Sequence, residues 1–401
     1  MPSFDTPIDR TNSSSEKWGS LARIFGSEDV LPMWVADMDF KVPEAVIKAL
    51  HDKADHGVFG YSFLSDSYKE AVTGWMLRRH NWKIEPQSIV YAPGVVPALY
   101  HLVETFTEPG EEVIIQPPVY PPFARVVNNQ DRKLLLNPLR ERENGHYDMD
   151  FEQLETLMDG TAGRAKMLIL CSPHNPVGRV WTREELLKLH ELAERYGVLV
   201  VSDEIHADLV FEPHVHVPFA SLSEQANQHS IVCTAPSKTF NLAALNTSNI
   251  IIANPELREK FVHNLSIREV AHAGIFGLTA AEAAYNHGEA WLNDCLAYIR
   301  SNMEFVQQHM ARYLKADGTP LVKTLLPEAT YLMWFDFREL GMTAEELNEF
   351  MVKEARLGLN NGAPFGQEGE GFMRMNLACS HSLVKEAMQR LDKAMERYIG
   401  K

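Results

Sequence analysis

Short apolar runs alternate with helix-like segments from residue 88 onward. Five of the runs are continuously apolar and do not alternate with polar residues; they cover residues 89–91, 113–115, 167–170, 198–201 and 231–233. Strands of this composition are buried on both faces, and their separation by helices is typical of a mainly parallel sheet covered on both sides. The pattern therefore predicts an α/β fold.

One helix between two of these strands is predicted together with both of its ends. Thr182 and Glu185 have the spacing of a capping box, and Gly197 stands where the helix would stop. The apolar residues between them share one helical face: Leu186, Leu189, Leu192, Ala193 and Tyr196. This segment is predicted to support the sheet and to carry no chemistry.

The chain changes character after about residue 290. Long amphipathic helices are predicted at 291–314 and 383–399, with a strand at 331–335 and a glycine-rich loop at 358–371. Residues 31–40 are dense in aromatic and apolar groups, which fits either an arm packed on another surface or the lining of a site. We expect three regions: an N-terminal arm with part of a small domain at 1–50, a large domain at 51–289 and a small α+β domain at 290–401.

Composition and charge narrow the choice of partners and compartment. The 401-residue chain has 38 lysines and arginines against 54 aspartates and glutamates, a formal charge of −16. Nucleic acids and anionic membranes attract basic surfaces, so neither is expected as a partner. No secretory leader or 18-residue apolar window is evident, which favours a cytoplasmic protein. Four widely spaced cysteines are predicted to be buried thiols in a reducing compartment: Cys171, Cys233, Cys295 and Cys379.

The residues that follow the five predicted strands form a candidate site. Ligands of open α/β sheets bind outside the carboxyl ends of the strands, so these residues are expected to converge. Each has an ordinary alternative on its own, such as a helix cap for Asp203 or a surface position for Lys238. Their coincidence at five strand ends favours a ligand site. The set comprises Gly94, Val95, Val96, Tyr120, Asn175, Asp203, His206 and Lys238.

Lys238 suggests the chemistry of this site. It follows an apolar strand and a proline-containing turn, and it stands among hydroxyl residues. A lysine amine whose charge is suppressed forms a Schiff base with an aldehyde such as that of pyridoxal 5′-phosphate (PLP). The remaining strand ends can be compared with what this cofactor requires.

The other strand ends offer the groups that PLP needs. Asp203 would keep the ring nitrogen protonated, Asn175 would donate to O3′, and Tyr120 would stack on the ring. PLP is therefore the predicted cofactor. Its phosphate would meet backbone N–H groups at a helix start and nearby hydroxyls, from Gly94, Val95, Val96, Thr234, Ser237 and Tyr61.

Four sequence blocks resemble the fold-type I, PLP-dependent class I and II aminotransferase family. They are Asn175-Pro176-Val177-Gly178, Ser202-Asp203-Glu204-Ile205-His206, Ser237-Lys238-Thr239-Phe240-Asn241 and Arg374-Met375-Asn376. Within the family, residues 31–40, 203–206 and 241–245 resemble the cystathionine β-lyase, or carbon–sulfur β-lyase, branch of the MalY, PatB and cystalysin type. The resemblance implies a large domain with a mainly parallel seven-stranded sheet and a smaller α+β domain formed by both chain ends.

The resemblance also implies roles for individual residues. The protein would be a homodimer with active sites at the subunit interface, and Tyr61 would reach the cofactor phosphate of the neighbouring subunit. Arg374 would bind the α-carboxylate of a small-molecule amino-acid substrate. Asn175, Tyr120 and Ala36 would contact the same substrate.

The implied reaction is an α,β-elimination in sulfur amino-acid metabolism. Cystathionine or a cysteine S-conjugate would yield pyruvate, ammonia and a thiol, which is homocysteine in the case of cystathionine. Lys238 would remove the α-proton. An aminotransferase on the same scaffold is the alternative, because both reactions begin by removing that proton. A regulatory protein that retains the fold is a third hypothesis.

Two positions depart from the family's usual pattern. Asn246 stands eight residues after the lysine, where an arginine usually binds the phosphate, and His206 stands where a tyrosine usually lies near O3′. We expect His206 to neighbour the cofactor rather than to act as an acid–base catalyst. His214 and His216 alternate as ligands on a strand would, but no third ligand has a suitable spacing, so no metal site is expected.

Overall fold

A seven-stranded sheet forms the centre of the protein, for which a computed structural model describes residues 4–160 and 165–399. The strands along the chain are β1 Leu31–Pro32, β2 Ile89–Ala92, β3 Glu112–Ile115, β4 Lys133–Leu136, β5 Arg140–Glu141, β6 Tyr147–Asp148, β7 Ala165–Cys171, β8 Leu199–Asp203, β9 Ser230–Thr234, β10 Ser248–Ile251, β11 Lys323–Thr324, β12 Leu332–Asp336, β13 Leu357–Gly358, β14 Asn360–Asn361 and β15 Phe372–Asn376. The central sheet has the order β2-β10-β9-β8-β7-β3-β4. Its neighbours are parallel except β10, which is antiparallel to β2 and β9. The predicted sheet is confirmed.

Helices cover both faces of this sheet. The α-helices are α1 Glu16–Gly19, α2 Leu21–Phe25, α3 Glu44–His56, α4 Asp66–His80, α5 Val95–Phe106, α6 Pro122–Asn128, α7 Phe151–Asp159, α8 Arg183–Tyr196, α9 Glu224–Gln228, α10 Pro236–Thr239, α11 Pro255–Ile267, α12 Ile275–His287, α13 Glu289–Met310, α14 Ala344–Glu349 and α15 His381–Ile399. Apolar side chains of α5, α6 and α11 share one core with the sheet, and those of α7 and α8 share another.

The five predicted strands are all present, but the sequence pattern does not predict β4 and β10. β4 lies at the sheet edge and is only partly buried, and its apolar run, Leu134 to Leu136, contains no β-branched residue. β10 begins with two buried polar residues, Ser248 and Asn249. The Tyr68 hydroxyl donates to Asn249 Oδ1 at 2.7 Å, so this amide has a partner inside the core. A buried polar group that is hydrogen-bonded does not appear in a hydrophobic pattern.

Helix α8 has the predicted ends. Its capping box is complete, since the Glu185 backbone N–H donates to Thr182 Oγ1 at 3.2 Å and the Thr182 N–H donates to Glu185 Oε2 at 2.7 Å. Gly197 ends the helix with a φ of 69°. That left-handed conformation is accessible to glycine without strain. Sequence therefore fixes this helix locally.

A four-stranded antiparallel sheet, β11-β12-β15-β14, belongs to the C-terminal part of the chain. The predicted long helices are present as α13 and α15, and the predicted strand is β12. The division into three regions stays a prediction. The expected boundary at 290 lies at the start of α13, whereas that at 50 lies inside α3, which packs against α12. Residues 1–3, 161–164 and 400–401 of those ranges lie outside the described residues.

The four cysteines are buried and unpaired, as predicted. Across the described ranges, no helix combines the length and the apolar character that a membrane crossing needs.

Candidate active site

A cavity of about 230 Å³ lies at the carboxyl ends of the central strands. Distant segments meet there, as the strand-end argument predicts. Asn246 and Thr247 also line the cavity, and sequence reasoning does not identify Thr247. The predicted site residues on its wall are Ala36, Gly94, Val95, Val96, Tyr120, Asn175, Asp203, His206, Ser237 and Lys238.

Lys238 projects from the short helix α10 that follows β9. Its Nζ donates to the carbonyl oxygen of Ala36 at 2.6 Å. Burial lowers the pKa of the Lys238 amine to about 8, and the positive charge of Arg374 acts in the same direction, against the opposing effects of Asp37 and Asp203. A substantial neutral fraction is therefore present near neutral pH, as nucleophilic and basic lysines require.

Asp203 ends β8 and is buried at the cavity wall. Burial raises the pKa of its carboxyl group to about 7, although the hydrogen bond from the Ile205 N–H to Oδ1, at 3.1 Å, opposes the shift. Within the described chain no donor reaches Oδ2. A cationic ring nitrogen beside Oδ2 would supply the missing partner, so this carboxylate fits the pyridine end of PLP.

The N-terminus of α5 opens onto the same cavity. Gly94 precedes the helix with a φ of 154°, which favours glycine, and its carbonyl accepts from the Ala98 N–H at 3.0 Å. Val95 and Val96 are the first helical residues, so their N–H groups have no intrahelical acceptor. These donors and the helix dipole suit a phosphate group. Among the described residues on the wall, Lys238 is the only lysine or arginine, in keeping with asparagine at position 246.

Arg374 lies on β15, buried behind the cavity wall. Its guanidinium donates to Asn175 Oδ1 at 2.9 Å, to Asn360 Oδ1 at 2.5 Å and to the Trp34 carbonyl at 3.3 Å. Burial lowers the pKa of Arg374 to about 10. In the described part of the chain it has no carboxylate partner, and its Nε makes no hydrogen bond. A buried cation in this state is suited to the carboxylate of a ligand.

Two predicted phosphate contacts lie away from the cavity wall. Thr234 Oγ1 donates to the Asn249 carbonyl at 3.3 Å, so its hydroxyl serves the β9–β10 pair. The Thr234 side chain therefore faces the next strand, and its predicted contact with the cofactor phosphate stays a prediction. Tyr61 is 99% exposed, and its ring lies 6.1 Å from that of His272. It does not reach the cavity of its own chain.

His206 is buried and faces Tyr331, with ring centroids 6.3 Å apart. Burial lowers the pKa of His206 to about 3, and Lys238 and Arg374 add to the shift. The imidazole is therefore neutral at physiological pH. The Tyr331 hydroxyl donates at 2.8 Å to the same Ala36 carbonyl that Lys238 uses. No local motif marks Tyr331, which is 295 positions from Ala36 in sequence.

The arm of residues 31–40 both packs on the protein and lines the site. Its composition fitted either role, and the structure shows both. Asn376 Nδ2 donates to the carbonyls of Val35 and Asp37, both at 2.6 Å. On the other side, Asn241 exchanges hydrogen bonds with the Met38 backbone N–H and carbonyl, each at 2.9 Å. These amides fix the backbone that carries the Ala36 carbonyl.

The alternating histidines lie in different environments. His216 is buried and hydrogen-bonded to Glu204 Oε2 at 2.8 Å, whereas the His214 side chain is 40% exposed. Glu204 Oε1 also accepts from the Ser202 hydroxyl and the Phe219 N–H. His216 thus takes part in a buried hydrogen-bond network beside Asp203.

A lysine-bearing cavity at the carboxyl edge of such a mixed sheet occurs in the fold-type I PLP-dependent enzymes, and the protein has that fold. The chain belongs to the family described as aminotransferase class I and II, which it matches over residues 28–391. Both statements confirm expectations from the sequence.

Two relatives match almost the whole chain. Cystathionine beta-lyase PatB of Bacillus subtilis (strain 168) is 45% identical over 392 residues, which cover 98% of this chain and 99% of PatB. Protein MalY of Escherichia coli (strain K12) is 32% identical over 397 residues, with 98% and 99% coverage. Among solved structures, cystalysin from Treponema denticola, which contains a pyridoxal 5′-phosphate cofactor, has a TM-score of 0.94 and 38% identity, with 99% of each chain covered. The predicted branch is thereby confirmed.

Proposed function

We propose that this protein is a PLP-dependent carbon–sulfur β-lyase that acts on amino acids with a sulfur substituent at Cβ. One observation carries the proposal: the buried amine of Lys238 shares a cavity with the buried carboxyl group of Asp203. Behind the cavity wall lies the buried Arg374, which no carboxylate of the described residues contacts. The similarity to a cystathionine beta-lyase at 45% identity over nearly the whole chain supports the lyase over other reactions of the fold.

The cavity residues fit PLP at each of its ends. Lys238 would hold the aldehyde carbon, Asp203 the ring nitrogen, and the N–H groups of Val95 and Val96 the phosphate. Asn175 and Tyr120 would contact the ring. When bound, PLP withdraws electrons from the substrate Cα, so that its proton becomes acidic and a Cβ substituent can leave.

The chain's own residues account for binding and for proton transfer. Arg374 binds the substrate α-carboxylate in a two-point contact and so orients the Cα–H bond. Lys238 Nζ, once released from the cofactor, accepts the α-proton; its lowered pKa leaves the amine neutral often enough to act as a base near pH 8. The same atom can pass the proton to the departing sulfur. The His206 imidazole stays neutral and is not assigned a proton transfer in these steps.

Tyr61 supports a homodimer whose active sites lie at the subunit interface. Its side chain is 99% exposed, and neighbouring Val58, Phe59 and Phe63 are also exposed. An exposed apolar group of this kind marks a protein contact surface. We propose that Tyr61 contributes its hydroxyl to the cofactor phosphate of a second copy, since the described residues on the cavity wall include no arginine.

Product analysis tests the reaction. PLP-loaded protein is incubated with cystathionine and, separately, with an amino acid plus 2-oxoglutarate. Pyruvate, ammonia and homocysteine from the first incubation are the expected products. If the incubation with 2-oxoglutarate yields glutamate and the incubation with cystathionine yields no pyruvate, the protein is an aminotransferase. An intact visible absorbance with no turnover on any S-substituted cysteine would favour a regulatory role.

A further inference from the structure

A buried carboxylate, Asp208, lies beneath the lysine turn and has no place in the proposed chemistry. Its exposure is 8%, and both of its oxygens accept hydrogen bonds. Oδ1 accepts from Trp75 Nε1 at 3.0 Å and is 2.8 Å from His80 Nε2. Oδ2 accepts from the Thr239 hydroxyl at 2.7 Å. Thr239 is the residue after Lys238 and is itself buried.

The carboxylate is ionised despite its position. Burial alone would raise the pKa of Asp208, but the hydrogen bonds from His80, Thr239 and Trp75, with the charge of His80, bring that pKa below its ordinary value. Hydrogen bonds to an ionised acceptor are shorter and stronger than neutral ones. The bond to Thr239 is therefore among the strong contacts of the lysine turn.

Asp208 joins two segments that face the cofactor. It lies five residues after Asp203, on a tight loop in which the Ala207 N–H donates to Glu204 and the Leu209 N–H donates to His206. Through Thr239 the same carboxylate holds helix α10, which has only four residues and few internal hydrogen bonds of its own. The relative position of the ring-nitrogen partner and the lysine thus depends on this bond.

Helix α4 makes the support rigid. Trp75 and His80, the two donors to Oδ1, both lie on α4, and the Trp75 ring packs edge-on against Phe240 at a centroid distance of 5.4 Å. Phe240 follows Thr239 directly. Oδ1 of Asp208 is therefore held by two side chains of α4. Oδ2 accepts a hydrogen bond from Thr239, in the turn that carries Lys238.

We propose that Asp208 is a positioning residue for Lys238 and acts through the Thr239 hydroxyl. It sets the direction from which the lysine amine approaches the cofactor and the substrate Cα. This inference rests on the proposed PLP-dependent function, in which the amine both holds the cofactor and moves the α-proton. A carboxylate suits the task because both of its oxygens accept, one from the donors of α4 and the other from the Thr239 hydroxyl. An asparagine could keep only one of these acceptors and would meet the Thr239 hydroxyl with the hydrogen bond reversed.

Four PLP-loaded variants test the proposal: Thr239→Val, Thr239→Ser, Asp208→Asn and the double variant Asp208→Asn/Thr239→Val. Thr239→Val keeps the shape of the side chain but removes the donor. We expect it to lower kcat for pyruvate release by roughly tenfold to a hundredfold with KM within about twofold, since small misplacements of a reacting group have costs of this size. Thr239→Ser restores the hydroxyl and should return kcat to near the wild-type value.

A spectroscopic readout separates positioning from loss of activity. The pH midpoint at which the visible absorbance of the lysine-bound cofactor changes should shift in Thr239→Val and Asp208→Asn and be unchanged in Thr239→Ser. Because this measurement needs no substrate, it decides the inference even if cystathionine is not cleaved. Failure of the lyase proposal and failure of this inference are thus distinguishable.

The double variant and a matched control complete the design. If Asp208 acts through Thr239, the double variant should be no slower than the slower single variant, because contacting groups are not additive. Thr107→Val removes another buried threonine hydroxyl, which donates to the Val103 carbonyl away from the cavity, and should leave kcat unchanged. A wild-type kcat and absorbance midpoint in Thr239→Val, or multiplied losses in the double variant, would overturn the proposal.

Discussion

Lys238 Nζ lies 2.6 Å from the main-chain carbonyl oxygen of Ala36, a residue 202 positions earlier in the chain. Both the neutral amine and the ammonium ion can donate to a carbonyl. The contact therefore holds the lysine at the cavity wall in either protonation state. It places the amine before any cofactor or substrate arrives.

Removal of the amine should abolish the reaction. Lys238→Ala is expected to lose at least ~10²-fold in kcat, because the proposed base and cofactor attachment are both lost. Its visible absorbance should also change, as measured by a spectrum of the PLP-treated protein. Lys166→Ala, at a lysine whose side chain is 47% exposed, is the matched control. A fully active Lys238→Ala protein would remove the basis for the proposed mechanism.

The lowered pKa of Lys238 predicts the pH dependence of cofactor loading. Only the neutral amine attacks an aldehyde, and burial lowers its pKa from 10.5 to about 8. The rate at which cofactor-free protein gains visible absorbance with PLP should therefore rise with pH through about 8 and level off above it. A rate that kept rising toward pH 10 would show that the amine titrates as an exposed lysine.

The raised pKa of Asp203 predicts a stability change in the cofactor-free protein. In the folded state the Asp203 carboxyl group keeps its proton up to about pH 7, whereas in the unfolded chain it has its ordinary pKa of 3.8 and loses the proton near that pH. The stability of the folded state should therefore fall as pH rises between these values and then remain level. Relative to Asp203→Asn, wild-type protein should lose about 1 to 3 kcal/mol of unfolding free energy from pH 5 to pH 8.

Urea unfolding of both proteins at several pH values measures this difference. Asp55→Asn, at an exposed carboxylate, serves as the control and should follow the wild type. An unfolding free energy whose difference between wild type and Asp203→Asn does not vary with pH would contradict the expectation.

Arg374→Ala should affect substrate binding more than cofactor binding. Loss of the carboxylate contact is expected to raise KM for amino acids by at least ~10-fold, because the contact is made equally in the ground and transition states. The visible absorbance of the loaded protein should be retained. Arg312→Ala, at an exposed arginine paired with Asp392, is the control. An unchanged KM would exclude Arg374 as the carboxylate-binding residue.

Hybrid dimers test whether Tyr61 acts across the subunit interface. Tyr61→Ala protein should bind PLP more weakly, and Lys238→Ala protein should be inactive. If the sites are shared, mixing the two subunits restores one intact site per hybrid, or about a quarter of wild-type activity after random exchange. Activity no higher than the sum of the separate variants would place Tyr61 outside the neighbouring site.

The sequence predicts the sheet well because its buried strands are apolar on both faces, as in residues 167–170 and 198–201. The sequence also predicts that the residues after these strands meet, because the carboxyl ends of parallel strands lie at the same edge of the sheet. Strand β10 is missed because Asn249 is polar, and its partner Tyr68 is 181 positions away. Hydrophobic pattern alone does not record such a pairing.

The site is predicted less completely than the fold. Thr234 and Ser237 are equivalent in sequence, as hydroxyl residues near the lysine, but only Ser237 lines the cavity. The direction of a side chain at a strand end depends on strand pairing, here with Asn249 of β10. Tyr331 and Asp208 are missed for a related reason, because their contacts to Ala36 and Thr239 join segments far apart in sequence.

The Ala36 contact has a consequence for how this protein tolerates substitution. A backbone carbonyl is present whatever side chain occupies position 36, so replacing that residue does not delete the acceptor. Alanine scanning at position 36 would therefore not reveal the contact with Lys238. Substitution of Asn241 or Asn376, which hold the backbone on either side of Ala36, would weaken it instead. A substitution at position 36 can therefore change the shape of the cavity wall while the Lys238 amine keeps its acceptor.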